Sequence, residues 1–528
     1  MRTRWASLRF GVLAALAVLA VAVIAAGCGG GTSNASAGGS SGSSENEGKA
    51  QPGGTLRIAD TAEPISLNPT TVDDNPSIHA VTQIVEPLFK ANMEGEIEPW
   101  LAESAKPSAD HKTWTVTLRK GVDFSNGKPM TAADVVFSLE TVRKSALWGS
   151  MFEAIKSVRE TSPDTVVITT STPAAKLEGQ LSLPFAGIVP NHFGGMSEKE
   201  FGNNPIGTGP FMLASWKRGE TLTLEKNPHY WRKGEPLLDK VVFSVVPDVD
   251  SRTTQLRSGE LDAIASPDWS QLASLESDSS LHVGTYAMGY LDALGLNLKN
   301  PLFQDPRVRE AINLAIDREG IVSAALDGHG EPAGSWLTPA LEDHDPSIKA
   351  PTQDIAKAKE LVAEAVKEKG LTPTLTLSLI TGDNFSNTAS QIIQQNLEEI
   401  GLKVALQPLD ESALISQLEA GKYDAYFLYL SSDIVDPSEL ASYYPATDAQ
   451  FTSGKTAEVE KLAAQANAAT NEGERRQLYY KMQEVVNKEK AFVTVDYRPF
   501  VWAMQSNVVG FDVNATGVPW LAEAGFTK

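Results

Sequence analysis

The chain has 528 residues, with 45 Lys and Arg against 66 Asp and Glu and a formal net charge of −21. Such an acidic surface repels nucleic acid, and a single cysteine, Cys28, excludes a disulfide scaffold and thiolate metal sites. Beyond residue 50 the chain is long enough for two or more domains. At the N-terminus Arg2, Arg4 and Arg9 precede an uncharged run, 10–27, made mostly of Ala, Val and Leu. A basic start, an apolar stretch and small residues before a cut predict a signal peptide over 1–27. An uncleaved anchor is the alternative, because the run reaches the short limit of a membrane span. Residues 29–48 are almost entirely Gly, Ser, Ala, Asn and Glu. They bury no apolar surface, so 28–52 is expected to be a flexible Gly/Ser-rich tether.

Cys28 stands at the junction of these two segments and has no partner for a disulfide. The stretch Ala25-Ala26-Gly27-Cys28 resembles a bacterial lipoprotein signal, departing from it at Ala25, where Leu is usual. The resemblance implies a lipid on Cys28 and a body held at the outer face of the cytoplasmic membrane.

The body reads as mixed α and β. Thr55–Ala59, Trp114–Leu118 and Asp164–Thr170 read as strands. Asn126-Gly127 marks a turn. Thr131 to Asp134 has the spacing of a capping box, opening a helix with Val135, Val136, Leu139 and Val142 inward. Phe211–Trp216 and Thr221–Glu225 flank Arg218-Gly219 as a hairpin. The second half predicts helices over Pro306–Arg318, Ile355–Lys369, Thr388–Ile400 and Ser412–Glu419. Between and after them fall strands over Thr374–Ile380, Lys403–Gln407 and Ala425–Leu430. Gly370, Gly401 and Gly421 follow three of these helices as C-caps. This alternation predicts a parallel sheet with right-handed crossovers.

Catalytic and metal signatures are missing from the sequence. The seven histidines, at 79, 111, 192, 229, 282, 329 and 344, have no metal-ligand spacing. Gly454-Lys455-Thr456 imitates a phosphate loop, but Ala449 stands where its first Gly belongs. Gly38-Gly39-Ser40-Ser41-Gly42 has the spacing of a nucleophile elbow but lies in the tether. No cofactor or metal is expected, and binding is favoured over catalysis.

Several stretches resemble the family 5 extracellular solute-binding proteins, the peptide- and nickel-type receptors of ABC importers. They are EIEPWLAESAKPSADHKTWTVTLRKGVDFSNGKPMTAADVVF (96–137), NPIGTGPFMLASWKRGETLTLEKNPHYWRKGEPLLDKVVFSVVPD (204–248), LRSGELDAI (256–264), FQDPRVREAINLAIDREGIV (303–322) and GKYDAYFLYLSSDIVDPSEL (421–440). The resemblance runs from about residue 53 to the C-terminus. It implies an α/β, two-lobed, periplasmic-binding-protein-like clamshell of type II, in the large form with an extra inserted subdomain. Lobe I would span 53–299, with the insertion at about 81–203. Lobe II would span 300–497, and 498–528 would return to lobe I. The implied function is that of a monomeric, non-enzymatic importer component. It would capture a small peptide or related solute outside the cell and pass it to ABC permease subunits. A nickel chelate, haem or an oligosaccharide are alternative solutes; a secreted hydrolase and a surface sensor are alternatives from other classes.

The same resemblance points to ligand-binding residues. Asp433, in Ser431-Ser432-Asp433-Ile434-Val435-Asp436-Pro437, matches an acid that pairs with a peptide's α-ammonium; the alternative is a turn after a strand. The family often has Trp three residues before that acid, where this chain has Leu430. Tyr429 faces the opposite way from Leu430 on an extended strand. Ser431 and Ser432 could offer hydrogen bonds. Trp148 matches an aromatic from the inserted subdomain, against ordinary core packing. Trp336 lies between Gly and Pro, as a loop contact or a lid over core.

Overall fold

The computed structural model describes residues 49–528, except 73, 93–94, 381–383, 410, 433 and 444–456. The expected signal peptide, Cys28, most of the tether and Gly454-Lys455-Thr456 therefore lie outside the described residues. No helix among the described residues is long and apolar enough to cross a membrane.

Two large sheets organise the body. The first has seven strands, in the order Leu281–Thr285, Val501–Gln505, Ala263–Ala265, Thr55–Asp60, Lys240–Val245, Thr221–Lys226 and Phe211–Lys217. Thr55–Asp60 runs parallel to both of its neighbours. Phe211–Lys217 and Thr221–Lys226 form the expected hairpin, turned at Gly219 with φ +73°. Between Thr55–Asp60 and this hairpin the chain builds a subdomain. Its four-stranded antiparallel sheet runs Ala102–Pro107, Thr113–Leu118, Thr165–Thr170, Ile155–Ser162. Helix Ala132–Val142 packs on it. That helix starts as the spacing predicts: the Asp134 carboxylate accepts the Thr131 N–H at 2.7 Å, and Val135, Leu139 and Val142 are buried while Val136 is half-buried. The subdomain and the seven-stranded sheet share one core.

The second sheet has six strands, in the order Glu331–Pro332, Phe492–Arg498, Tyr290–Leu296, Ala425–Leu430, Thr374–Ile380 and Lys403–Leu409. Helices Pro306–Ala315, Arg318–Ala325, Ile355–Lys369 and Asn384–Glu399 cover one face. Helices Glu411–Glu419, Ala457–Ala468 and Glu472–Glu489 cover the other. Gly370, Gly401 and Gly421 have φ of +63°, +95° and +62°, the left-handed setting of a helix C-terminus.

Two expectations change. The helix from Pro306 stops at Ala315, and Asp317 starts a second one by accepting the Gly320 N–H at 2.9 Å. The sheet is mixed rather than parallel: Thr374–Ile380 runs parallel to both neighbours, but Tyr290–Leu296 is antiparallel to Ala425–Leu430 and to Phe492–Arg498. Tyr290–Leu296 and Phe492–Arg498 are not part of a β–α crossover. They carry the chain into this lobe and out of it, so they run in opposite directions. The crossings between sheets accordingly fall at 286–289 and 499–500.

Candidate functional site in the cleft between the lobes

Both sheets turn their functional edge towards these crossings. In lobe I, Asp60 and Val245 end adjacent parallel strands in register, and Thr285 pairs with Val501 where the chain crosses. In lobe II, Ile380 and Leu409 end paired parallel strands, and Tyr290 pairs with Arg498 at the same edge. Open α/β sheets bind ligands just beyond the carboxyl ends of their strands. Here two such edges face one cleft, and a two-stranded hinge joins them.

The lobe II sheet beside the hinge carries buried charges. Arg498 Nε donates to Asp292 Oδ2 at 2.6 Å. The guanidinium lies over the rings of Tyr290, Phe385 and Tyr429, at 4.4, 5.0 and 5.6 Å from their centroids. Asp496 stands opposite Asp292 in the strand register and is fully buried. Its carboxyl is pushed well above the usual range, first by burial and then by the Asp292 charge. Arg318, itself buried, faces it from the helix layer and spends its N–H groups on Thr494 O, Asn313 O and Asn313 Oδ1. On the lobe I side His79 Nδ1 lies 2.7 Å from Asp60 Oδ2, and its ring packs on Trp502.

The loop 431–437 follows strand Ala425–Leu430 and reaches across the cleft. Ile434 is buried in the lobe I core, and Val435 packs against Gly95 so closely that a Cβ there would overlap it. Two further contacts join the lobes. Asn75 Nδ2 donates to Tyr290 Oη at 3.3 Å, and Lys176 Nζ lies 3.2 Å from Glu342 Oε2.

The residues singled out from sequence fall in different places. Asp433 lies outside the described residues, between Ser432 and Ile434. Tyr429 is half-buried beside Arg498, edge-on to Tyr290 at 5.3 Å. Ser431 is half-buried. Ser432 is buried, its hydroxyl 2.6 Å from Ile434 O and 2.8 Å from Glu439 Oε2. Trp148 is 5% exposed, stacked on Phe185 at 3.6 Å, with its indole N–H on Val72 O. Trp336 is 2% exposed in the lobe II core, and its indole N–H meets no acceptor among the described residues. Sequence reasoning missed Arg498, Asp292 and Asp496. The available signal was charge within apolar strands, in YLDALGL and FVTVDYR, since charges are almost never fully buried unless paired. Among the described residues no group of three or more His, Cys, Asp or Glu is set to hold a metal ion.

Residues 96–452 match the model of the bacterial extracellular solute-binding proteins, family 5 Middle. With more than half of the chain matched, this protein belongs to the family 5 extracellular solute-binding proteins, and its two-lobed fold is the family's. Among curated relatives it is 28% identical to the oligopeptide-binding protein AppA of Bacillus subtilis, over 88% of this chain and 90% of that one. It is also 28% identical to the probable D,D-dipeptide-binding periplasmic protein DdpA of Escherichia coli, over 88% and 92%. Among solved structures it resembles Helicobacter pylori DppA in complex with the peptide STSA. The TM-score is 0.82 at 27% identity, covering 90% of this chain and 99% of that one. AppA in complex with a nonapeptide gives a TM-score of 0.83 at 27% identity, over 91% and 100%.

Proposed function

We propose that this chain is the solute receptor of an ABC importer for small peptides, tethered through lipid on Cys28 and working outside the cytoplasmic membrane without turning its solute over. The observation that carries this reading is the pair of strand-end edges facing one hinged cleft, with the loop 431–437 spanning it. Relatives and structural neighbours named for peptides support the choice of solute. A solute that touches both lobes favours the closed arrangement by its differential affinity for it. Asp433, on the spanning loop, is the anchor for the peptide's ammonium. Taking that carboxylate out of water requires a cationic partner, and the pair gains strength in the closed cleft.

The test is calorimetric. Peptides recovered with the native protein and identified by mass spectrometry are titrated free and N-acetylated. Removing one partner of a buried charge pair costs roughly 2–5 kcal/mol, a loss of at least about tenfold in affinity. Acetylation is expected to cost wild type that much and Asp433→Asn far less, because the pair is already broken. Equal binding of both peptide forms by wild type removes the ammonium anchor. Recovery of an opine, a sugar or a metal chelate instead of peptide removes the choice of solute.

A further inference from the structure

The spanning loop is held by an ion-pair network centred on one arginine. Arg475, on helix Glu472–Glu489, is 4% exposed. Its Nη2 donates to both oxygens of Asp436, each at 2.7 Å. Its Nη1 donates to Asp343 Oδ2 at 3.2 Å and lies 3.9 Å from Glu342 Oε2. Arg476 Nε donates to the other Asp343 oxygen at 3.1 Å. Asp436 also accepts the Ser438 N–H at 2.9 Å, starting the helix after the loop. The Glu342 N–H holds the Val435 carbonyl at 2.8 Å. The same residue's carboxylate receives Lys176 from the opposite lobe at 3.2 Å.

Lobe II alone leaves one negative charge over. Asp436, Asp343 and Glu342 bring three negative charges, while lobe II supplies two positive ones, from Arg475 and Arg476. Lys176 supplies the third. Lys176 precedes helix Leu177–Gln180 of lobe I, whose Gly179 faces Asp436. Glu178, partly buried on that helix and raised in pKa by its burial, is the other acid facing Lys176.

We infer that Arg475 is the positioning residue of the solute loop and that, through Glu342, it couples the loop's setting to Lys176, so that this network sets how long the closed lobes hold their solute. The inference rests on the proposed clamshell reading. Its consequence is a latch that acts on release rather than on encounter. Arg475 serves here because its planar guanidinium offers one terminal nitrogen to Asp436 and the other to Asp343 at once; a lysine keeps the charge but has a single nitrogen.

The probe is trialanine, with release followed by stopped-flow tryptophan fluorescence. Exposed ion pairs are weak, so Lys176→Met and Glu342→Gln are each expected to speed release about two- to fivefold, leaving the association rate unchanged. The double variant is expected to exceed neither single one. Arg475→Lys is expected to speed release and also to abolish the effect of Lys176→Met, which a merely structural role would leave intact. Full additivity in the double variant overturns the proposal, as does a Lys176 effect that persists beside Arg475→Lys. If trialanine does not bind wild type, the latch is judged by small-angle scattering without solute. Wild type is then expected to be more compact than Lys176→Met at about 0.02 M salt and to match it at about 0.5 M, where exposed charges are screened. Equal radii at the lower salt overturn the latch.

Discussion

Asp496 lies directly across the strand pair from Asp292, the carboxylate that receives Arg498 Nε at 2.6 Å. With both acids ionised, neither oxygen of Asp496 has a donor. One proton resolves this: a neutral Asp496 donates to Asp292, which stays ionised for Arg498. The raised pKa of Asp496 has the same sense. An acid whose pKa is raised on folding contributes stability that is complete below its unfolded value and lost as pH rises through the folded one. Asp496→Asn keeps a donor and carries no charge. It is expected to melt at or above wild type at alkaline pH and to flatten the pH dependence. Asp292→Asn takes the carboxylate from Arg498 and is expected to cost roughly 3 kcal/mol or more. Melting curves across pH check both; a lower melting temperature for Asp496→Asn at alkaline pH would contradict the shared proton.

At the hinge the constraint is steric. Phe500 is buried, its ring against Gly289 and Gly517 and 4.3 Å from Tyr290. A Cβ on Gly289 would overlap that ring. Gly289→Ala is therefore expected to destabilise by about 1–3 kcal/mol, the usual cost of overpacking. Because the ring sits where the chain crosses between lobes, the solute-bound radius of gyration is also expected to increase. An unchanged melting temperature together with an unchanged radius would show that the hinge tolerates the methyl group.

Glu86 is fully buried in lobe I and accepts four hydrogen bonds, each oxygen taking one indole N–H and one hydroxyl. Trp100 Nε1 and Tyr230 Oη reach Oε1 at 2.8 and 3.1 Å; Trp231 Nε1 and Thr208 Oγ1 reach Oε2 at 3.0 and 2.8 Å. Burial, opposed by these bonds, pushes its pKa up to about 7 from 4.5. The neutral form is favoured on folding, so stability is complete below 4.5 and falls as pH rises towards about 7, by about 3 kcal/mol in all at 1.36 kcal/mol per unit. Glu86→Gln is neutral too, yet its NH₂ must face an indole N–H. It is expected to lose about 1–3 kcal/mol even in mild acid. Chemical denaturation of the two proteins at several pH values reads both effects. A variant as stable as wild type in acid would mean that the donors rearrange around it.

Cys28→Ser is expected to release the protein from membranes or leave it unprocessed, because the serine offers no thiolate for lipid attachment. Fractionation and intact-mass measurement of both forms test it. A processed variant held at the membrane as before would contradict the lipid anchor.

Local rules made much of this chain legible in sequence. The helix over Ile355–Lys369 and the strands over Thr374–Ile380 and Ala425–Leu430 have their expected limits, because periodicity, capping and glycine C-caps act over a few residues. Family blocks in order identified the two-lobed fold. The cleft was not legible in the same way. Asp292 and Arg498 stand 206 residues apart, and Arg475 and Asp436 stand 39 apart. No local spacing encodes such pairings; they follow from which strands become neighbours once the chain enters and leaves lobe II. Trp148 and Trp336 show the converse. The family resemblance pointed to Trp148, and flanking Gly and Pro to Trp336, as ligand contacts, with core packing and a lid over core as the alternatives; the packing of whole layers buries them against Phe185 and in the lobe II core. Burial of a side chain is settled by everything that packs over it, and only the tertiary structure brings those surfaces together.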